Sequence, residues 1–588
     1  MNNLNQALIF IVGVTLAFNA SSNHASQSEN SKQGQVDTFY VGADNACDFS
    51  NIQGAINAAN NSSNPVEIFV AANKTYTENL LIDHNNMHID GLYTDCTQAR
   101  LGILGQIKAN NIGGVNGQTL HITGQNVSLK NMIISNNEDG GILANGTSNI
   151  ILENINFSQL GYDDKNGQDI IGAIQLMGSG EIDLQVKGVD FSSNISFSGS
   201  AIYCNGSAHS IDITDSVFSN NQARQYGGAL FVDGCDLTLT ASMFQNNSAL
   251  FGGGIYALLS NITLSNMTFE GNSVNGSGGA LTASESVINA EKVLFVDNQS
   301  QSYGGAISLS ETDLILSNNP SNCPINNKCN HFNNNHAGFS GGAIASELGS
   351  ISISTTYFEN NQSPETGGAI TLASGAIDIS TSYFENNRAD NGTAVYLIDD
   401  SALFGTTAKI EGSVFINNGN EGEGDFQDRN VLYVGDNSTA TITYSTFADN
   451  NIILSTFKQD FGSELNVYSS IISEALNDDV FDPIENVTRS VNCLIVHEIT
   501  SIGSFDNEVI VADPIFIDRA NGDYHINPVL SPAVDYCTDT LAMAQYQDID
   551  GEDRGFDDPD MTNNFTDAIY DIGADEAQGD LIFANGFE

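Results

Sequence analysis

Ten phenylalanines between Phe191 and Phe447 are each followed, three residues later, by an asparagine. The pairs are Phe191–Asn194, Phe218–Asn221, Phe244–Asn247, Phe269–Asn272, Phe295–Asn298, Phe332–Asn335, Phe358–Asn361, Phe384–Asn387, Phe415–Asn418 and Phe447–Asn450. Nine and ten residues after six of these phenylalanines stands a Gly-Gly pair, from Gly227-Gly228 to Gly367-Gly368. Most successive phenylalanines are 25 to 27 residues apart. A fixed period in this range defines a stacked-repeat architecture, because one unit cannot bury its own apolar face and must lean on its neighbours.

The units share an internal grammar. Each opens on a short alternating run such as Ile211-Asp212-Ile213, Leu237-Thr238-Leu239 or Ile377-Asp378-Ile379. Alternation of this kind is a strand with one buried face. Phenylalanine and an asparagine-rich corner follow, then the glycine pair and a second apolar pair such as Ala229-Leu230 or Ala306-Ile307. No unit carries the longer 3.6-residue pattern of a helix. The expectation is an all-β parallel β-helix, with strands about 4.8 Å above one another. Identical residues then superpose into an inner phenylalanine column and a corner asparagine column, both structural in role. Glycine supplies backbone angles closed to other residues at sharp bends.

The F-x-x-N and G-G-A-[IL] pairing resembles the repeats of polymorphic outer-membrane proteins and of pectate-lyase-like right-handed β-helices. That resemblance implies a right-handed single-stranded parallel β-helix, and it implies no particular activity, because such scaffolds host many. Unlike the polymorphic proteins, this chain shows no train of amphipathic strands after its repeats, so self-secretion through a terminal barrel is not expected.

The ends of the chain have their own signals. Ala7 to Phe18 is an apolar stretch short enough for a signal-peptide core, giving a signal peptide over 1–25 and a polar, disordered linker over 26–35. No transmembrane segment is expected in the mature chain. The β-helix with its N-terminal cap is placed at 36–510, most regular over 191–450. Ser50 as N-cap before Ile52, Ala55, Ile56 and Ala59 has helix spacing, and it resembles the helix that plugs pectate-lyase-like β-helices. Tyr76-Thr77-Glu78-Asn79 resembles the segment that follows that plug. Asp513-Pro514, Ser531-Pro532-Ala533-Val534-Asp535, Asp548-Ile549-Asp550-Gly551 with Arg554, and Asp571-Ile572-Gly573-Ala574-Asp575-Glu576 resemble, in that order, the choice-of-anchor Q module of secreted bacterial β-helix proteins. This implies such a module over 511–576, with residues 577–588 as a sorting tail and a secreted or bacterial cell-surface location.

With 17 basic and 71 acidic residues, the chain should be repelled by nucleic acid and by anionic membranes. Tryptophan is absent, which removes one platform for stacking sugars, but 18 tyrosines remain. The D-x-D-G-x-D spacing of Asp548, Asp550 and Asp553 makes them a calcium candidate, against the plainer reading of a solvated turn. No other cofactor is indicated. Lyases of the family that the repeats resemble use arginine or lysine as base beside acid-held calcium. Between Phe191 and Val395 the basic residues are Arg224, Lys292, Lys328 and Arg388, spread over several coils. His331 and His336 are the remaining candidate bases. The reading that follows is a non-catalytic binding or adhesion scaffold whose partner is an extracellular glycan or surface ligand, with no catalytic residue assigned. The alternative is a polysaccharide lyase or glycoside hydrolase on the same fold.

Eight cysteines, an even count, suit an oxidising compartment. Sequence order suggests Cys47–Cys96, Cys204–Cys235, Cys323–Cys329 and Cys493–Cys537, among many pairings open to eight cysteines. Mass mapping of non-reduced peptides from the exported protein should find no free thiol. Four or more free thiols would place the protein in a reducing compartment.

Overall fold

The computed structural model describes residues 35–577 except 73, 94, 97–104, 109–117, 147, 162–171, 319–329, 400–404, 421–425, 475–478, 484–485, 498–508, 538–546 and 556–569. The proposed signal peptide, the linker up to residue 34, the sorting tail from residue 578 and the Cys323–Cys329 loop lie outside the described residues. The chain winds as a right-handed parallel β-helix. A 28-stranded sheet takes two strand positions from most coils, and a 15-stranded and a 6-stranded sheet close the other sides. Pairing is parallel and in register: Ile211 lies on Leu237 and Leu237 on Ile262, while Leu230 lies on Ile255 and Ile255 on Leu281.

Register places like on like. The phenylalanine rings from Phe157 to Phe447 form one stack, with consecutive centroids 4.4–5.1 Å apart and planes within 18° of parallel. Phe157 extends the column by one coil beyond the Phe-x-x-Asn pattern, because Leu160 stands where the asparagine would be. Every ring in this column is fully buried, worth about 1.5–3 kcal/mol each.

Beside it runs the asparagine column. Asn221 Nδ2 donates to Asn247 Oδ1 at 3.0 Å and to the carbonyl of Phe191 at 2.9 Å. The same Asn247 oxygen accepts the Asn221 backbone N–H at 3.0 Å. The pattern repeats from Asn194 to Asn450, and Glu474 terminates it by accepting both the backbone and side-chain N–H of Asn450. The residue just before each ladder asparagine is left-handed, as at Asn220, Asn246, Asn334, Asn360 and Asn386. Asparagine tolerates that conformation, which explains the Asn-Asn doublets at these corners. At the opposite corner Gly304 has φ +63°, and a Cβ on Gly305 would stand 2.0 Å from the carbonyl oxygen of Gly342 in the next coil.

At the N-terminal end the helix Ile52–Ala59 buries Ile52, Ala55, Ile56 and Ala59 against the first coils. Its N-cap is Asn51 rather than Ser50: the Asn51 side chain accepts the Gly54 N–H at 2.7 Å. Glu78 completes the cap by accepting the N–H groups of Ile52 and Gln53 at 2.9 and 3.0 Å. A strand, Asp37–Val41, precedes the helix and pairs in parallel with Val66–Ala71, so the sheet starts earlier than the repeat pattern indicates.

At the C-terminal end the chain folds back over the long sheet. Phe516–Asp518 and Asp523–Ile526 form an antiparallel pair. Phe516, Tyr524, Ile526, Val534 and Ile572 form a second core with Val414, Ile416, Ile471 and Ile495, on the outward face of the last coils. Three of the cysteine pairings suggested by sequence order are disulfides, at Cys47–Cys96, Cys204–Cys235 and Cys493–Cys537. The last ties this C-terminal region to the final coils. Among the described residues no helix is long and apolar enough to cross a membrane.

The ladder makes a stability prediction. Asn298→Ala takes away the acceptor shared by the Asn272 backbone N–H and one Nδ2 hydrogen, and the side-chain donor to the Phe269 carbonyl, in a dry interior, which should cost about 1–3 kcal/mol. Asn275→Ala, at an exposed position one coil away, should stay within about 0.5 kcal/mol of the parent. Denaturant titration of both variants measures the difference.

Candidate functional site

The residue that follows each ladder asparagine points outward. In the 6-stranded sheet this places Ile195, Gln222, Ser248, Ser273, Gln299 and His336 over one another. Bridges extend the column to Gln362 and Arg388. Gln222 to Gln299, with Arg224, Leu250, Asn275 and Gln301 two residues along, line an open groove of 440 Å³ parallel to the helix axis. No aspartate or glutamate lines it. In a chain with a net charge of −54 the lining has one charged side chain, Arg224.

Aromatic residues stand at the corner next to the groove, outside its lining. Gln222–Tyr226 is a single strand, so Tyr226 sits at the groove's edge, bridged to Phe251 of the next coil. Tyr226 packs on Tyr256 at 4.6 Å, and Tyr256 continues through Phe231 to Tyr203 in a stack on the adjoining sheet. Burial, with the neighbouring Tyr226 and Asp233, pushes the Tyr256 phenol up, so it stays a neutral donor. Further along the same edge Tyr303 and Phe339 face each other at 6.1 Å and are 51% and 45% exposed.

Amides, hydroxyls and one guanidinium, with aromatic faces nearby, can hold a polyhydroxylated ligand. His336 stands in the same column, and burial lowers its pKa. His331 points from a different face and pairs with Glu359 at 2.9 Å. Arg388 is engaged by Asp428 at 2.8 Å and lines a second polar groove of 560 Å³ with Asn360, Asn386 and Asn417. Arg224 and Arg388 are therefore in separate grooves. Sequence reading passed over Gln222, Ser248, Ser273 and Gln299, though their position one after each ladder asparagine was a usable signal.

The three aspartates proposed for calcium have different surroundings. Asp548 is buried, and its carboxylate accepts the backbone N–H groups of Asp550, Glu552 and Glu576 at 2.8–3.1 Å, which makes it an organiser of the turn. Asp553 forms a bridge with Gln547. Asp550 faces His525 instead, with Oδ2 and Nε2 2.9 Å apart. The D-I-G-A-D-E segment works similarly. Asp571 accepts from Asp535 and Ala577 at 2.7 Å, Asp575 from Ile526 at 2.8 Å, and Glu576 from Gly555 at 2.7 Å. Arg554 donates to the Ala574 carbonyl at 2.6 Å and lies over the Tyr444 ring.

The Chlamydia polymorphic membrane protein repeat matches residues 215–233, 266–284 and 355–372, each spanning one phenylalanine, its ladder asparagine and the glycine pair. No curated protein matches the chain. Among solved structures, an alginate lyase in complex with a trisaccharide is similar at 10% identity and TM-score 0.30, over 78% of this chain and 89% of its own. The tailspike protein of an E. coli bacteriophage, in complex with a pentasaccharide, is similar at 12% identity and TM-score 0.30, over 75% of this chain and 73% of its own. The A-module of the Azotobacter vinelandii mannuronan C-5 epimerase follows at 9% identity and TM-score 0.17, over 79% and 93%. Likenesses of this degree carry no activity across to this chain.

Several groups make the C-terminal region pH-dependent; burial raises Asp548 and Glu552 and, with Glu576 beside it, lifts Asp571 well above its ordinary value. Burial pushes Asp575 up to about 7. Contact with Asp550, helped by Asp575 and Asp523 against the effect of burial, pushes His525 up to about 10. Both folded pKa values lie above the unfolded ones, so each group binds its proton more tightly when folded. The Asp575 contribution is full below its ordinary 3.8 and is lost as pH rises toward 7. That of His525 is full below 6.5 and is lost as pH rises through 10. Amide protection of Asp523–Ile526, with a chelator present, should fall between pH 6.5 and 9.5 by an amount on the order of 1 kcal/mol. His525→Gln should flatten that dependence.

Proposed function

We propose that this protein is an exported β-helix of the bacterial surface or surroundings that binds a glycan chain along the Gln222–Gln299 groove and does not cleave it. The observation that carries this reading is the composition of the groove. It is open, runs along the axis, is lined by amides, hydroxyls and Arg224, and lacks any carboxylate, while the exposed rings of Tyr303 and Phe339 stand at the neighbouring corner. Amide and hydroxyl columns offer a repeating set of donors and acceptors to a repeating set of sugar hydroxyls. Tyr303 and Phe339 offer apolar faces to the C–H surfaces of sugar rings, and the Tyr303 hydroxyl adds a polar handle. The two basic residues nearest a groove, Arg224 and Arg388, lie in different grooves, and Arg388 is held by Asp428. That separation supports binding over elimination chemistry, which needs a base and an acid-held cation at one sugar. Export through the leader at 1–25, retention through the 511–576 module and display through the tail at 577–588 belong to the same reading.

A glycan array followed by calorimetry on the full chain tests it. Arg224→Ala, and separately Tyr303→Ala with Phe339→Ala, should weaken the captured glycan by about 1–3 kcal/mol while leaving the melting temperature unchanged. No unsaturated product should appear from polygalacturonate or alginate, with or without calcium. Turnover abolished by His336→Ala or Arg224→Ala would establish instead a polysaccharide lyase or glycoside hydrolase on this fold.

A further inference from the structure

The outward column of the long sheet changes character near its C-terminal end. His331, Tyr357 and Tyr383 follow one another there, with the Tyr357 and Tyr383 rings stacked at 4.7 Å. The C-terminal region covers these rings, and Asp550 is close enough to raise both phenols, after the larger effect of burial. At this seam His525, Asp550 and Asp575 converge from three segments. His525 is on the antiparallel strand Asp523–Ile526, Asp550 on the D-x-D-G turn, and Asp575 in the D-I-G-A-D-E segment. One ligand atom from each lies within 4.8 Å of the others. Among the described residues this is the one His/Cys/Asp/Glu group that meets this spacing.

Three features distinguish this group from an ordinary ion pair. His525 Nε2 is buried and has no hydrogen-bond partner, although Asp550 Oδ2 stands 2.9 Å away. Both atoms belong to the three-residue group that Asp575 completes. His525 Nδ1 is fixed by Asp523 Oδ1 at 2.5 Å, and a carboxylate behind the ring is how ligating histidines are oriented. Asp575, more than nine-tenths buried, has a single hydrogen bond, on Oδ2 from the Ile526 N–H. Around the three stand Asp523, Asp548 and Glu552, with Arg554 the cation on the Asp548 side, so the neighbourhood carries excess negative charge.

We propose that His525, Asp550 and Asp575 bind one divalent cation of the zinc class, which clamps the C-terminal region onto the outer face of the β-helix. One imidazole nitrogen with two carboxylates suits zinc or manganese better than calcium, which takes six to eight oxygens. Three protein ligands leave a coordination position to water. The site overlaps the calcium candidate at Asp550 alone and is independent of the glycan groove.

Equilibrium dialysis of the full, disulfide-intact chain against zinc, after chelator treatment, tests the proposal. One zinc per chain should be lost in His525→Gln and in Asp550→Asn, each weakening binding by about tenfold or more. Asp553→Asn, outside the cluster, should keep parental affinity. Zinc should also slow amide exchange at Asp523–Ile526 in the parent and not in Asp550→Asn, a partly exposed position whose substitution leaves the core intact. Equal zinc stoichiometry in parent and both cluster variants, no zinc bound to the parent, or displacement of zinc by equimolar calcium would overturn the proposal.

Discussion

The structure depends on one hydrogen-bonding arrangement, the asparagine ladder at the corner after the phenylalanine column. Each ladder side chain donates along the axis and back across to a phenylalanine carbonyl, while its oxygen accepts two N–H groups from the coil before it. A sharp corner inside a dry solenoid would otherwise leave backbone groups unpaired, at a desolvation cost the fold could not sustain coil after coil. Because the amide reaches one coil only, the ladder also sets register. A slip by one residue would break every rung and turn every phenylalanine outward. Ring stacking and the short, left-handed corner residues follow from that register.

The candidate binding surface is a consequence of the same constraint. Once the asparagine is fixed inward, its successor must point to solvent, and successive coils superpose those successors into a column. Gln222, Ser248, Ser273 and Gln299 are therefore aligned by the ladder together with the strand pairing between them. Their rigidity is inherited from a buried network, which suits a surface that must present a repeating pattern without ordering itself on binding.

The C-terminal region obeys different physics. It has no repeat to lean on, and it buries its small core against the outward face of the last coils. Its many carboxylates act mainly as acceptors for backbone N–H groups, which is why Asp548, Asp571 and Glu576 are buried in spite of their charge. The fold has moved the protonation state of several of these groups, with His525 and Asp575 raised and Asp571 raised well above its ordinary value by burial beside Glu576.

The phenylalanine, asparagine and glycine columns were legible in the chain itself, because a 25- to 27-residue period forces like residues into contact and the types at each position reveal what the contact is. The capping helix and three disulfide pairings were legible as well, since spacing and order constrain them locally. The replacement of Ser50 by Asn51 as cap was not, because either residue can accept the N–H and only the backbone path decides between them. The groove needed the tertiary structure to show that neighbouring columns are free of carboxylates in so acidic a chain. The His525–Asp550–Asp575 cluster was out of reach of sequence reading. Its members are about 25 residues apart on three non-repeating segments, and no period predicts where such segments meet. Sequence alone determined the solenoid, because its contacts are between equivalent positions, whereas tertiary structure decided the C-terminal docking, because its contacts are between unlike ones.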